Sequence, residues 1–417
     1  MKFYKRTSTD LNYFFSGTFY TGLSSIVGLL VPIILVPFLI KKVGLENYGI
    51  SVVAFSISFF FSMIVDYGFY ITGVNKLSKE NDPKKISAII TNIIYTKALI
   101  FLVLFPIFLV VYYYLTSNVI EWHVYLFSLL IPLASILNLS WALQGLHQIK
   151  AWSLLTILGQ VCYIITIYLF IDEPSDVKFI NLLYGIGLLL SGGASLLYLT
   201  KKYYLEFKRI NMDSLGEELK GGYHFFLSNI GNYTSLYFLS PLIWFLISYE
   251  MAGIYSIIEK IYNIARRPFT IYQTFMLPKV SQQVQLDREI AKRNIKNTYI
   301  FVIAFMLIEV SLIFVFKTEI ISYFTLINLS LLERMLMISL IGILVVIINC
   351  PLSLYLIALD KKQDMMKISL SAPVFGIIAG FILITKFGII GSIFTLVLIE
   401  LFYAIYLSLI YRKIKPL

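Results

Sequence analysis

Charge is scarce in this chain. Only 14% of its 417 residues are Asp, Glu, Lys or Arg, three are His, and two are Cys (Cys162 and Cys350), both inside apolar runs. Two isolated thiols exclude a disulfide framework and a zinc site of paired spacing, and no cofactor is implied. The chain lacks a GxxxxGK[ST] phosphate loop, which argues against an ATP-driven pump in one polypeptide. Long polar segments are missing too. The longest expected outer loop, Lys317 to Arg334, is short and mostly apolar, with no carboxylate pair or His cluster to serve a membrane polymerase or ligase. The composition therefore favours a transporter over an enzyme.

Apolar residues are abundant, at 59% of the chain, and the mean hydropathy is +0.83. A hydrocarbon core of about 30 Å needs roughly 20 mostly apolar residues per helix. Twelve windows qualify in the first and second halves: 17–40, 49–71, 87–113, 122–146, 153–171, 179–200, then 225–247, 252–277, 299–317, 331–357, 366–385 and 388–411. An all-α polytopic membrane protein is expected. The first run is too long for the core of a cleaved signal and reads as a retained helix. The formal charge of +11 reflects topology rather than a nucleic-acid partner. With both termini cytoplasmic, 24 of the 34 Lys and Arg fall on inner segments and six on outer ones; the other four, Lys97, Lys260, Arg266 and Arg267, lie within helices. This asymmetry orients the chain. It predicts a multi-pass membrane protein with both termini cytoplasmic and the bilayer as its first partner.

The second half echoes the first. Glu46-Asn47-Tyr48-Gly49-Ile50 opens the second window, and Glu250-Met251-Ala252-Gly253-Ile254 opens the eighth. Lys76-Leu77-Ser78 and Lys279-Val280-Ser281 close the same two windows. Three domains follow: a six-helix bundle over 1–200, a cytoplasmic linker over 201–224 and a second six-helix bundle over 225–417. Six is even, so both bundles enter the membrane in one direction and are related by a pseudo-two-fold axis along the membrane normal, with a substrate site near midplane. Eight prolines inside the windows (Pro32, Pro37, Pro106, Pro132, Pro241, Pro268, Pro351, Pro373) permit kinks.

The eighth window should not be comfortable in oil. It carries Glu259, Lys260, Arg266 and Arg267. At 100° per residue these four share a stripe about 140° wide with Asn263, Tyr255, Ser256 and Gln273, while Ile257, Ile258, Ile261, Ala265 and Pro268 take the opposite face. Arg266 lies about 16 Å before Leu277, near the centre of the hydrocarbon. Four charges facing lipid would cost about 10–14 kcal/mol. The stripe must therefore face water or paired partners. The plainer alternative is a buried ion-pair network, with Glu259 serving Arg266 and Asp66 or Glu309 serving the others. Three cations to one anion instead fit an anionic substrate group such as a phosphate. Candidate substrate-binding residues are Arg266, Arg267, Lys260, Asn263, Glu259, Asp66, Asn229, Asn232 and Tyr255. Candidate ion-coupling residues are Asp66, Glu259, Glu309 and Glu400, of which Glu309 and Glu400 could each instead pair a cation. Lys97 is expected to pair across helices, and Tyr67, Tyr70 and Tyr262 are further side chains that could meet a polar substrate.

Several short stretches carry a family resemblance over about residues 12–412. Gly44-Leu45-Glu46-Asn47-Tyr48-Gly49, Asp66-Tyr67-Gly68-Phe69, Asn75-Lys76-Leu77-Ser78 and Trp141-Ala142-Leu143-Gln144-Gly145 resemble the Wzx-type O-antigen flippases. These are polysaccharide transporters of the superfamily that also holds MATE drug exporters and peptidoglycan-precursor flippases. The resemblance implies a MATE-like fold, a V-shaped pair of bundles around a cavity lined by helices 1, 2, 7 and 8. It implies a substrate, undecaprenyl-diphosphate-linked oligosaccharide, moved from the cytoplasmic to the periplasmic leaflet with cation coupling. Polysaccharide polymerase and chain-length proteins would be partners in that pathway. His147-Gln148 departs from the pattern, where relatives often carry an acid. A MATE-type multidrug exporter is the alternative within the fold, but it would be expected to line its cavity with carboxylates.

Overall fold

The computed structural model describes residues 8–116, 118–207, 212–286, 288–325 and 327–414. All regular elements among them are helical. The chain divides into two compact units. Unit 1 comprises the residues up to Gly44 together with Ala54–Asn229, and unit 2 comprises Leu45–Val53 with Ile230–Leu417. The division falls after Asn229, later than the 201–224 linker expected from charge, and the first turns of the second window are assigned to unit 2.

Unit 1 contains α1 (Ser8–Val43), most of α2 (Leu45–Asp66), α3 (Phe69–Leu77), α4 (Pro83–Leu115), α5 (Val119–Ser128), α6 (Leu130–Ile136), α7 (Ser140–Gly145), α8 (Ile149–Phe170), α9 (Val177–Tyr203) and the first part of α10 (Met212–Tyr237). Helix α9 packs on α5, α6 and α8, and α3 packs on α7. A core of Phe69, Leu77, Ile90, Ile93, Trp141, Leu143 and Leu199 joins α3, α4, α7 and α9. Unit 2 adds α11 (Leu239–Leu246), α12 (Tyr249–Leu286), α13 (Arg288–Val315), α14 (Lys317–Phe324), α15 (Leu329–Ala358), α16 (Lys362–Phe387) and α17 (Ile389–Ile414). Here α15 packs on α12, α13 and α17, and α17 also packs on α16.

Three expected helices are broken. The second window ends early because Tyr67 (φ 48) and Gly68 (φ 80) are both left-handed, and the chain restarts as α3. Proline accounts for two other breaks. It lacks an N–H, and its ring collides with the carbonyl four residues earlier. Four residues before Pro132 is Ser128, where α5 stops, and four before Pro241 is Tyr237, where α10 stops. Pro268 does not break its helix: α12 runs unbroken for 38 residues.

Ten spans among the described residues are long and apolar enough to cross a membrane. The two expected windows that fall short are α10–α11 and α12, the ones holding Asn229, Asn232 and the charged stripe. In α12 the four charges Glu259, Lys260, Arg266 and Arg267 exceed what an ordinary span carries, and they are tolerable only where that face is kept from lipid.

The repeat glycines meet. A Cβ on Gly49 would collide with the Tyr249 carbonyl, and one on Gly253 would lie 2.8 Å from the Leu45 carbonyl. Each glycine thus lets the other repeat's main chain approach at the residue four before its counterpart, the reciprocal pattern of a local two-fold. Outside the spans, the amides of Asp82 and Asn81 each donate to Glu80 Oε1 at 3.0 Å, and the Asp82 bond leads in holding that carboxyl below its usual range. Asp82 caps α4, accepting from the Lys84 amide at 3.0 Å.

Candidate functional site

The charged stripe lies on α12, wholly within unit 2, and its environment changes along the helix. At the N-terminal end the opening turns of α2 close it off. Tyr255 is only 2% exposed, and Ser256 is buried, donating to the Gly253 carbonyl at 2.9 Å and lying 3.3 Å from the Tyr48 hydroxyl. Tyr255 is therefore a core residue here, a correction to its expected contact with substrate. The Gly49–Gly253 approach explains the difference, because it brings α2 over that end of the stripe. One turn on, Glu259 and Lys260 are half-buried, and Lys260 is flanked by Glu259 and the Tyr48 hydroxyl. Farther along, Asn263 and Arg267 are exposed.

Arg266 sits at the junction. Its Nη1 is 2.8 Å from Glu400 Oε1 on α17, with the arginine side chain 37% exposed and the glutamate buried. The other carboxylate oxygen of Glu400 accepts from Asn349 Nδ2 on α15 at 2.8 Å. The Tyr262 ring lies 5.6 Å from the guanidinium carbon, a cation–π distance. Two turns beyond Arg266, Gln273 donates to the Cys350 carbonyl at 2.8 Å and to Ser353 Oγ at 2.6 Å. Together Arg266, Gln273, Asn349, Ser353, Glu400 and Tyr403 border a cavity of about 250 Å³. It can hold a small polar group or several waters.

The structure thus corrects the expected charge balance. Glu400, expected either to pair a cation or to carry a coupling proton, is the partner of Arg266. Glu259 does not serve Arg266. In unit 1 the Asp66 Oδ1 pairs with Lys97 Nζ at 2.6 Å, with Lys97 fully buried and Asp66 25% exposed. Arg267 has no carboxylate partner among the described residues. The stripe and its partner therefore carry three cations to two anions. Glu309 stands apart on α13, half-buried beside exposed Leu307, Ile308 and Leu312, and its Oε2 has no partner among the described residues. Asn229 is half-buried at the end of the unit 1 part of α10, and the side chain of Asn232 lies outside the described set. Asn349, Ser353 and Tyr403 were not legible as site residues. The only sequence hint to their helices was Glu400 itself, an acid alone in an apolar run.

This arrangement is carried on a fold known from membrane transporters. The structure of the lipid II flippase MurJ in an inward closed conformation superposes with a TM-score of 0.74 at 17% identity, covering 95% of this chain and 87% of that one. The inward-facing structure of a multidrug resistance MATE family transporter of the MOP superfamily gives 0.69 at 13% identity, covering 92% and 97%. The class is thus a polytopic bundle of about twelve membrane helices, with the fold of those transporters. Within it, the chain belongs to the polysaccharide biosynthesis protein family, which matches residues 14–284. A candidate O-antigen transporter of Escherichia coli K12 is 24% identical over 201 residues, 48% of each chain. The match spans about half the length of that relative.

Proposed function

We propose that this protein is a flippase for polyprenyl-diphosphate-linked oligosaccharide, moving the head group from the cytoplasmic to the outer leaflet of a bacterial inner membrane by alternating access. The observation that carries the reading is the cationic end of the α12 stripe. Arg266 is held in place by Glu400 yet more than a third exposed, and the neighbouring Arg267 is exposed without an acidic partner among the described residues. A forked guanidinium suits a diphosphate, offering paired donors to two oxygens. The family match and the O-antigen relative support the same substrate class, and both that relative and MurJ are described as transporters rather than enzymes.

In this reading the diphosphate engages Arg266 and Arg267, the sugars occupy a polar cavity, and the prenyl tail stays in lipid. Glu400 is the natural coupling group. A phosphate oxygen competes with it for Arg266, which ties substrate binding to the state of the Arg266–Glu400 pair. The test is complementation of a strain lacking its own flippase. Arg267→Ala should abolish surface glycan at normal protein level, and Arg267→Lys should restore it only in part because the fork is lost. Full surface glycan from Arg267→Ala would remove the support for this assignment, and strong multidrug efflux would redirect it to an exporter.

A further inference from the structure

Unit 1 contains a second polar cluster that the diphosphate reading leaves unused. It forms where two left-handed residues, Tyr67 and Gly68, separate α2 from α3. Asp66 ends one helix and Tyr70 lies in the first turn of the next. Lys97 Nζ binds Asp66 Oδ1 at 2.6 Å and also reaches the Ser135 carbonyl at 3.4 Å. The second carboxylate oxygen has no hydrogen-bond partner among the described residues. Tyr70 is 41% exposed, and its hydroxyl donates to Gln144 Oε1 on α7 at 2.8 Å. The amide nitrogen of Gln144 is enclosed and finds no acceptor among the described residues; nor do the neighbouring Thr72 hydroxyl and Trp141 indole. Three of the ten such atoms thus sit on two short, facing helices.

A buried donor without an acceptor is uncommon and marks an absent partner. Hydrocarbon cannot be that partner, because it satisfies neither the open carboxylate oxygen nor the amide. Ions fit poorly as well. Lys97 already neutralises Asp66, so a cation meets no net charge, and an anion meets a carboxylate. A neutral polyol fits all of these groups. Its hydroxyls both donate, to Asp66, and accept, from Gln144, while the exposed Tyr70 ring offers a flat face to the C–H side of a sugar ring. We infer that Asp66, Tyr70 and Gln144 form a glycan subsite, with Lys97 as the residue that positions Asp66. This rests on the flippase reading and adds to it a distinct site for the sugars.

The experiment measures binding to the purified full chain of two synthetic probes, bare undecaprenyl diphosphate and the same lipid bearing a neutral trisaccharide. The expected result is that Gln144→Ala and Tyr70→Ala each weaken the glycosylated probe about five- to tenfold, the scale of one lost hydrogen bond in an enclosed site, and leave the bare diphosphate unchanged. Tyr70→Phe, which keeps the ring and removes only the hydroxyl, keeps the test open should Gln144→Ala fail to fold. Unchanged affinity for the glycosylated probe would overturn the subsite, as would equal loss of both probes. Failure of the unaltered protein to bind either probe would instead overturn the substrate reading beneath it. Arg267→Ala losing both probes while Tyr70→Ala loses one separates the two sites.

Discussion

Glutamate 400 offers the sharpest energetic test of the unit 2 site. Replacing it with Gln keeps the shape and an oxygen for Asn349 but removes the charge opposite Arg266. Two unit charges 2.8 Å apart attract by about 1.5 kcal/mol in water and about 6 kcal/mol at an effective dielectric of 20. Glu400 is buried, which favours the upper figure, but Arg266 is 37% exposed, so water screens the pair. A coupling of about 1–3 kcal/mol is expected. The assay is a double-mutant cycle of Glu400→Gln and Arg266→Gln, read as reversible unfolding in detergent. The two changes should be non-additive, the double variant being more stable than the sum of the singles implies, because each single change strands one member of the pair. Additivity within about 0.5 kcal/mol would refute the claim that Glu400 holds Arg266. In that case the guanidinium would be placed by the Tyr262 ring and cavity water alone.

Two further outcomes follow from packing and from a loop. Gly49→Ala should reduce folded protein strongly, by about 1–3 kcal/mol or more, and Gly253→Ala should do likewise, both read as thermal midpoint in detergent; an unchanged midpoint for Gly49→Ala would contradict the crossing. Because the folded-state pKa of Glu80 is depressed, its contribution to the turn before α4 is present at neutral pH and is lost as pH falls through that lowered value. Intrinsic-rate-corrected amide exchange at Asn81 and Asp82 should therefore lose protection in acid, and Glu80→Gln should remove the pH dependence.

Much of the fold was legible because a bilayer leaves so few options. Run length carried the helical class, and the echo between Glu46–Ile50 and Glu250–Ile254 pointed to the close approach of Gly49 and Gly253. The breaks were less visible. Pro132 and Pro241 stop helices, whereas Pro268 does not, and only the packing around each decides whether the freed carbonyl is tolerated. Tyr67 gave no warning, since a left-handed tyrosine is uncommon and only the following glycine hinted at it. At the site, the wheel grouped the α12 charges correctly but could not see what lay across from them. Arg266 and Glu400 are far apart in sequence, so their pairing is a product of tertiary structure. The same limit misplaced Tyr255, whose angular position fits the stripe while its height puts it beneath α2.

Because Gly49 and Gly253 are each confined by main chain rather than by a side chain, trimming a neighbour elsewhere cannot make room for a larger residue at either. A polypeptide assembled from two copies of one half would inherit the permissive residue on both sides of the crossing. Any engineering intended to make the halves unlike must therefore leave this point symmetric and write its differences into other positions.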